Sequence, residues 1–239
     1  MIDESKLSSL LLENITLRPI EPHIYSVYPQ EGHTNTYDKI WSFYDLVMGN
    51  RYYNRIMWGY RIADFSSFCH DSLASSSDGW VLDAGCGSLV FTSNTYTGYS
   101  KRPVVLLDAS LQMLRAAKSR LSRLNGNVSA NMVFLHGDVL HLPFKPGSFR
   151  TILSMNVLHV LPNINGVLSE LKNALADGGT IALTSLIAND RFGDIYPKLL
   201  SKTGQLIPRT PDQILACFKE LEISTSHYVR GNMMFIRHG

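Results

Sequence analysis

Three aspartates, Asp83, Asp108 and Asp138, each stand at or just past the end of a short apolar run. Trp80-Val81-Leu82 precedes the first, Val104–Leu107 the second and Met132–His136 the third. A carboxylate there is placed to accept charge-assisted hydrogen bonds, which are stronger than those to a neutral acceptor. An acidic residue closing the second run suits a pair of vicinal hydroxyls. Asp138 suits an exocyclic amine, and Asp83 suits a cation or the turn beside it. That turn, Asp83-Ala84-Gly85-Cys86-Gly87, carries two glycines that let the backbone bend sharply and approach a ligand without a Cβ in the way. Cys86 reads as a small filler, because no neighbouring base would lower its pKa.

The elements that must position these groups alternate. Trp80–Ala84, Val104–Asp108, Met132–His136, Phe149–Met155 and Thr180–Ser185 read as strands. An amphipathic helix capped by Ser110 follows the second, and a helix from Ile164 to Leu175 ends at Asp177-Gly178-Gly179. Such alternation implies βαβ units and a parallel sheet, whose ligands bind at the carboxyl ends of the strands. The tail differs: a helix over Pro211–Leu221 capped by Thr210, then two β-like runs joined at Arg230-Gly231-Asn232, which read as a hairpin. The expected fold is therefore α/β, a three-layer Rossmann-like sheet of seven mainly parallel strands with an antiparallel C-terminal hairpin. Residues 1–74, rich in aromatic residues from Tyr37 to Tyr60, are expected to form a helical cap with one helix over Tyr52–Leu73. Residues 75–239 then form the ligand-binding unit, and the long connection Ile187–Arg209 reads as a substrate loop or lid.

Composition narrows the partners. The chain has 239 residues, 45% of them hydrophobic, and a net charge of +2, too small to demand a polyanion such as nucleic acid. Three widely spaced cysteines form neither a disulfide framework nor a zinc motif, so no metal is expected. The acidic start and the lack of a long apolar run argue against a signal peptide and a membrane span, and a cytoplasmic location is expected.

Taken in order, DAGCG, VVLLDAS, GDVLHLPF, FRTILSMNVLHVL and LADGGTIALTSL resemble the successive motifs of class I S-adenosylmethionine-dependent methyltransferases of the small-molecule type. The resemblance runs from about Asp78 to the C-terminus. It implies S-adenosylmethionine as cofactor and methyl transfer to an O, N or C nucleophile. Carried over by residue, it implies that Asp83, Ala84, Gly85 and Gly87 line the methionine part. Asp108 would bind the ribose hydroxyls, with Ala109 and Met113 beside the adenine. Asp138 would bind the adenine amine, with Val139 alongside. Asn156 and Val157 would lie near the methyl group, and His159 nearby is a candidate substrate contact or general base. Tyr37, then Tyr44, are candidates for closing the cofactor site. Leu89 stands where many members have a third glycine.

Alternatives stay open. Base amino-methylation is disfavoured because Asn156-Val157-Leu158-His159 replaces the (N/D)PP(Y/F) motif of those enzymes. Protein methylation and a non-catalytic cofactor-binding module remain. A nicotinamide-dependent dehydrogenase fits neither the missing third glycine nor the terminal hairpin.

Overall fold

The computed structural model describes residue 2 and residues 4–29, 59–75, 78–188 and 206–239. The N-terminal part holds α1 (Glu4–Leu10), β1 (Arg18–Glu21), β2 (Ile24–Ser26) and α2 (Ile62–Ala74). Then come β3 (Trp80–Ala84), α3 (Ser93–Tyr96), β4 (Val104–Asp108), α4 (Leu111–Asn125) and β5 (Met132–His136). The remaining elements are β6 (Phe149–Met155), a 3₁₀ turn at Leu158–Val160, α5 (Ile164–Ala174), β7 (Leu175–Leu186), α6 (Pro211–Glu220), β8 (Ser226–Arg230) and β9 (Met233–His238).

One sheet collects all nine described strands in the order β1-β2-β5-β4-β3-β6-β7-β9-β8. The pairings from β5 through β7 are parallel, and β7, β9 and β8 pair antiparallel, so the expected terminal hairpin is present. Its turn uses Gly231 at φ +59°. Both faces are covered, because successive strand residues point to opposite sides. Leu82, Val105, Leu107 and Ile152 face the layer formed by α1, α5 and α6. Val81, Val104, Leu106 and Leu153 face the layer formed by α2 and α4. Strands buried on both faces read as continuous apolar runs, and VVLLD is one.

Three features depart from the sequence expectation. Two strands beyond the expected seven come from residues 18–26, where β2 pairs parallel with β5. Four and three residues long, with Pro19 inside, they carry too little periodicity to read in advance. The helix expected from Tyr52 starts, in its described part, at Ile62, because Gly59 at φ +73° and the extended Arg61 interrupt it. Finally, β7 starts at Leu175 rather than Thr180: Leu175 pairs with Phe149 and Thr180 with Thr151, and residues 176–179 bulge between them. The Arg150 guanidinium ties this bulge through Asp177 O.

Arg102 anchors the opposite end of the sheet from those aspartates. Only 2% exposed, its guanidinium donates to Gly79 O (3.1 Å), Leu73 O (3.2 Å) and Thr151 Oγ1 (2.8 Å), joining α2, the start of β3 and β6. Replacing it by methionine keeps the volume and strands these acceptors. We expect Arg102→Met to lower the unfolding free energy by roughly 3 kcal/mol, read from the urea midpoint.

Candidate functional site

β3 ends in a turn that β4 holds in place. Gly85 N–H and Cys86 N–H both donate to Leu107 O, at 2.8 and 2.9 Å. Gly87 N–H donates to Asp108 Oδ2 at 2.8 Å, and the other carboxylate oxygen accepts Ser110 N–H, also at 2.8 Å. Gly85 takes φ +73°, and a Cβ there would lie 2.5 Å from Val157 Cγ2, so neither conformation nor space admits another residue. Two residues after Gly87, Leu89 adopts φ +59°, the left-handed region that a third glycine would supply freely. Its side chain is 2% exposed in the core under α2, and that packing holds the turn in a conformation leucine does not favour.

The described cavity along this edge is lined by ten of the residues singled out from the sequence: Asp83, Gly85, Gly87, Asp108, Ala109, Met113, Asp138, Val139, Asn156 and Val157. Ala84 is not on its wall; it is fully buried, and its carbonyl accepts Ser154 Oγ–H at 2.8 Å. Tyr37 and Tyr44 lie outside the described residues, as does most of the expected 187–209 loop. Ser88 to Thr92 also line the cavity, which the sequence reading did not anticipate. Their only sequence signal is negative, a leucine where a glycine is expected.

Strand order fixes the order of groups along the edge. Asp138 follows β5, Asp108 closes β4, Asp83 lies near the end of β3, and Asn156 follows β6. Asp138 Oδ1 accepts Leu140 N–H at 2.9 Å, and Oδ2 pairs with His141 Nδ1 at 3.2 Å. Asn156 takes φ +62°, which asparagine tolerates better than most residues. Its N–H is shared between Thr184 O (3.2 Å) and Thr184 Oγ1 (3.0 Å).

His159 is the correction at this site. Its ring is 6% exposed and is not on the cavity wall. Nδ1 accepts Leu186 N–H at 3.1 Å, so the ring proton sits on Nε2. Burial and the nearby Arg209 cation push its pKa down to about 3, and it stays neutral. The ring serves β7 as a backbone acceptor and lies off the described cavity wall. Arg209 completes this support by donating to Leu158 O (2.8 Å), Leu161 O (2.7 Å) and Pro162 O (2.9 Å), while Ile207 N–H donates to His159 O (2.7 Å). The wall residues Val157, Val160 and Leu161 are thereby fixed from behind.

Asp83 is the most unusual group. It is 1% exposed; Oδ2 accepts Tyr96 Oη–H at 2.7 Å, and Oδ1 is buried with no hydrogen-bond partner. Burial, opposed by the Tyr96 hydrogen bond and assisted by the Asp108 charge, pushes its pKa up to about 7. Burial and the two carboxylates also push the Cys86 thiol well up, which leaves it unreactive. An unpartnered buried oxygen beside an acidic edge fits a ligand that brings a positive charge to Asp83 and hydroxyls to Asp108.

The raised pKa of Asp83 sets a stability dependence. Between the unfolded value near 4 and the folded value of about 7, the native state holds the extra proton, so stability falls as pH rises through that window. Asp83→Asn removes the penalty. We expect the variant to gain on the wild type from pH 4 to 7, by on the order of a few kcal/mol at pH 8, in paired urea titrations. Parallel wild-type and variant curves across that range contradict the assignment.

Comparison with known proteins agrees with this arrangement. Residues 81–179 match a family model described as a methyltransferase domain. The sterol 24-C-methyltransferase of Schizosaccharomyces pombe is 23% identical over 170 residues, covering 69% of this chain and 42% of that protein. The malonyl-[acyl-carrier protein] O-methyltransferase of Hamiltonella defensa is 30% identical over 107 residues, covering 45% and 38%. The chain spans less than half the length of these curated relatives. The crystal structure of the YcgJ protein from Bacillus subtilis superposes with a TM-score of 0.58 at 19% identity, covering 70% of this chain and 71% of that one. The match over residues 81–179 to a methyltransferase domain and the shared fold agree with the motif order read from the sequence, which resembles that of class I S-adenosylmethionine-dependent methyltransferases.

Proposed function

We propose that this cavity binds S-adenosylmethionine and that the protein transfers its methyl group to an O, N or C nucleophile of a small molecule. The observation that carries the reading is the ordered edge. Acceptors for a nucleoside stand at Asp138 and Asp108, a buried acceptor for a cation stands at Asp83, and an apolar wall follows β6. When bound, the sulfonium of the cofactor supplies an electrophilic methyl group. The chain's own residues bind, orient and exclude water. Asp108 would accept from the ribose hydroxyls, and its existing bonds to Gly87 and Ser110 N–H hold the carboxylate ready for that. Met113 and Val139 give the adenine an apolar surface, and Asp138 an acceptor for its amine. At the far end Met155, Val157, Val160 and Leu161 form a surface that keeps water from the reacting atoms.

Among the described residues the cavity wall carries no histidine, lysine or arginine. The protein's main contribution is then to hold the nucleophile about 3 Å from the methyl carbon, in line with the leaving sulfur. Residues 1–74, whose described elements join the sheet and its helical layers, would also supply Tyr37 or Tyr44 to close over the cofactor. A small-molecule acceptor rather than nucleic acid is supported by the net charge of +2. A cytoplasmic setting is supported by three cysteines that form no disulfide. Among the described residues no helix is long and apolar enough to cross a membrane.

Isothermal titration with S-adenosylhomocysteine, the product form, tests the reading. We expect binding by the wild type and, for Asp108→Ala, a loss of about 2 kcal/mol or more, roughly 30-fold in Kd. Absence of wild-type binding at millimolar ligand overturns it.

A further inference from the structure

The N-terminal hairpin places an unexpected side chain next to the strand ends that carry Asp108 and Asp138, just outside the described cavity wall. Because β2 runs parallel to β5, the chain leaving β2 emerges at the same edge as Asp108 and Asp138. Val27 N–H donates to His136 O at 3.1 Å, and the Val27 side chain lies over Gly137, where a Cβ would stand 3.2 Å from Val27 Cγ2. One residue on, the Tyr28 ring meets the His136 ring edge-on, with centroids 4.6 Å apart and planes at 66°.

His136 is 4% exposed and is held at both nitrogens. Nε2 lies 3.2 Å from Ala109 O, which only a ring N–H can satisfy, so Nδ1, 3.3 Å from Ser26 Oγ, accepts. Ser26 Oγ in turn accepts Tyr28 N–H at 3.2 Å. A continuous chain of hydrogen bonds therefore runs from Tyr28 through Ser26 and His136 to Ala109, the residue after Asp108. Asp138, two residues after His136, and Ala109 both line the cavity.

We propose that Tyr28 is a cofactor-contacting residue, its half-buried ring forming the outer wall of the adenine end of the site and His136 positioning it. This rests on the reading that the cavity binds S-adenosylmethionine. Two further observations support it. Burial and the negative charges of Asp138 and Asp108 push the Tyr28 phenol up to about 12, which keeps it protonated. The ring is a sequence-tolerant surface of the kind on which nucleobases stack.

Titration of wild type, Tyr28→Ala and Tyr28→Phe with S-adenosylhomocysteine and with 5′-methylthioadenosine tests the assignment. The second ligand keeps the nucleoside and lacks the amino acid. Tyr28→Ala should weaken both ligands by the same factor, roughly tenfold, and Tyr28→Phe should restore most of the loss. Equal affinity of wild type and Tyr28→Ala for both ligands overturns the role of Tyr28 while leaving the cofactor reading intact. Failure of the wild type to bind either ligand overturns both. A measurement on the wild type removes any dependence on how the variants fold. S-adenosylhomocysteine should slow hydroxyl-radical oxidation of the Tyr28 ring, followed by peptide mass, and leave the exposed Tyr228 unaffected. An unchanged rate at Tyr28 overturns the proposal.

Discussion

The site depends on one backbone interaction: β4 takes the N–H groups of three consecutive residues in the turn that leaves β3. Gly85 and Cys86 donate to Leu107 O and Gly87 to the Asp108 carboxylate. Backbone donors at a tight turn have no partner within their own strand, and left buried each costs free energy comparable to a lost hydrogen bond. The neighbouring strand supplies the acceptors, which pins the turn flat against the sheet edge. That flatness requires Gly85 to approach Val157 too closely for a Cβ. It also places Asp108 at once as a structural acceptor and as a wall of the cavity.

From that turn the rest of the edge follows by strand order. Parallel neighbours bring Asp138, Asp108, Asp83 and Asn156 into one row. The row then grades from carboxylates with backbone donors, through a buried carboxyl with one unsatisfied oxygen, to an apolar end. A buried carboxyl without a full set of donors is costly when ionised, so Asp83 holds its proton to near neutral pH. Such a cost persists in a folded protein where a ligand of opposite charge offsets it, and that makes the strain at Asp83 a functional sign as well as an energetic one.

Support from behind matters as much as the wall itself. His159 and Arg209 spend their hydrogen-bonding capacity on backbone groups of the segment that carries Val157, Val160 and Leu161. A histidine near a reaction centre invites a reading as a base, yet this one is buried, neutral and directed at Leu186 N–H. His159 sits in the 3₁₀ turn at Leu158–Val160, and its ring meets β7 at Leu186 N–H. On the other flank, Ser26 and His136 do comparable work for Ala109.

Much was legible in the sequence because it depends on local pattern. Apolar runs such as VVLLD show buried parallel strands, the glycines of DAGCG show a turn with close backbone approach, and an aspartate closing a strand can only face the carboxyl edge. Those local rules sufficed for the parallel core and the terminal hairpin, and the family resemblance added cavity residues such as Ala109, Met113, Val139, Asn156 and Val157. What they could not reach depends on contacts distant in sequence. The direction of the His159 ring depends on β7, and the Tyr96 bond to Asp83 on a four-residue helix with no strong propensity. Leu89 keeps a glycine's conformation because its side chain is buried in the core under α2. The strand at residues 24–26 forms because β5 offers it an open edge, and no periodicity in three residues can announce that. The sequence by itself determined where the charges lie along each strand. The tertiary structure decided which of them meet, because hydrogen-bond partners and burial are properties of neighbours that only folding brings together.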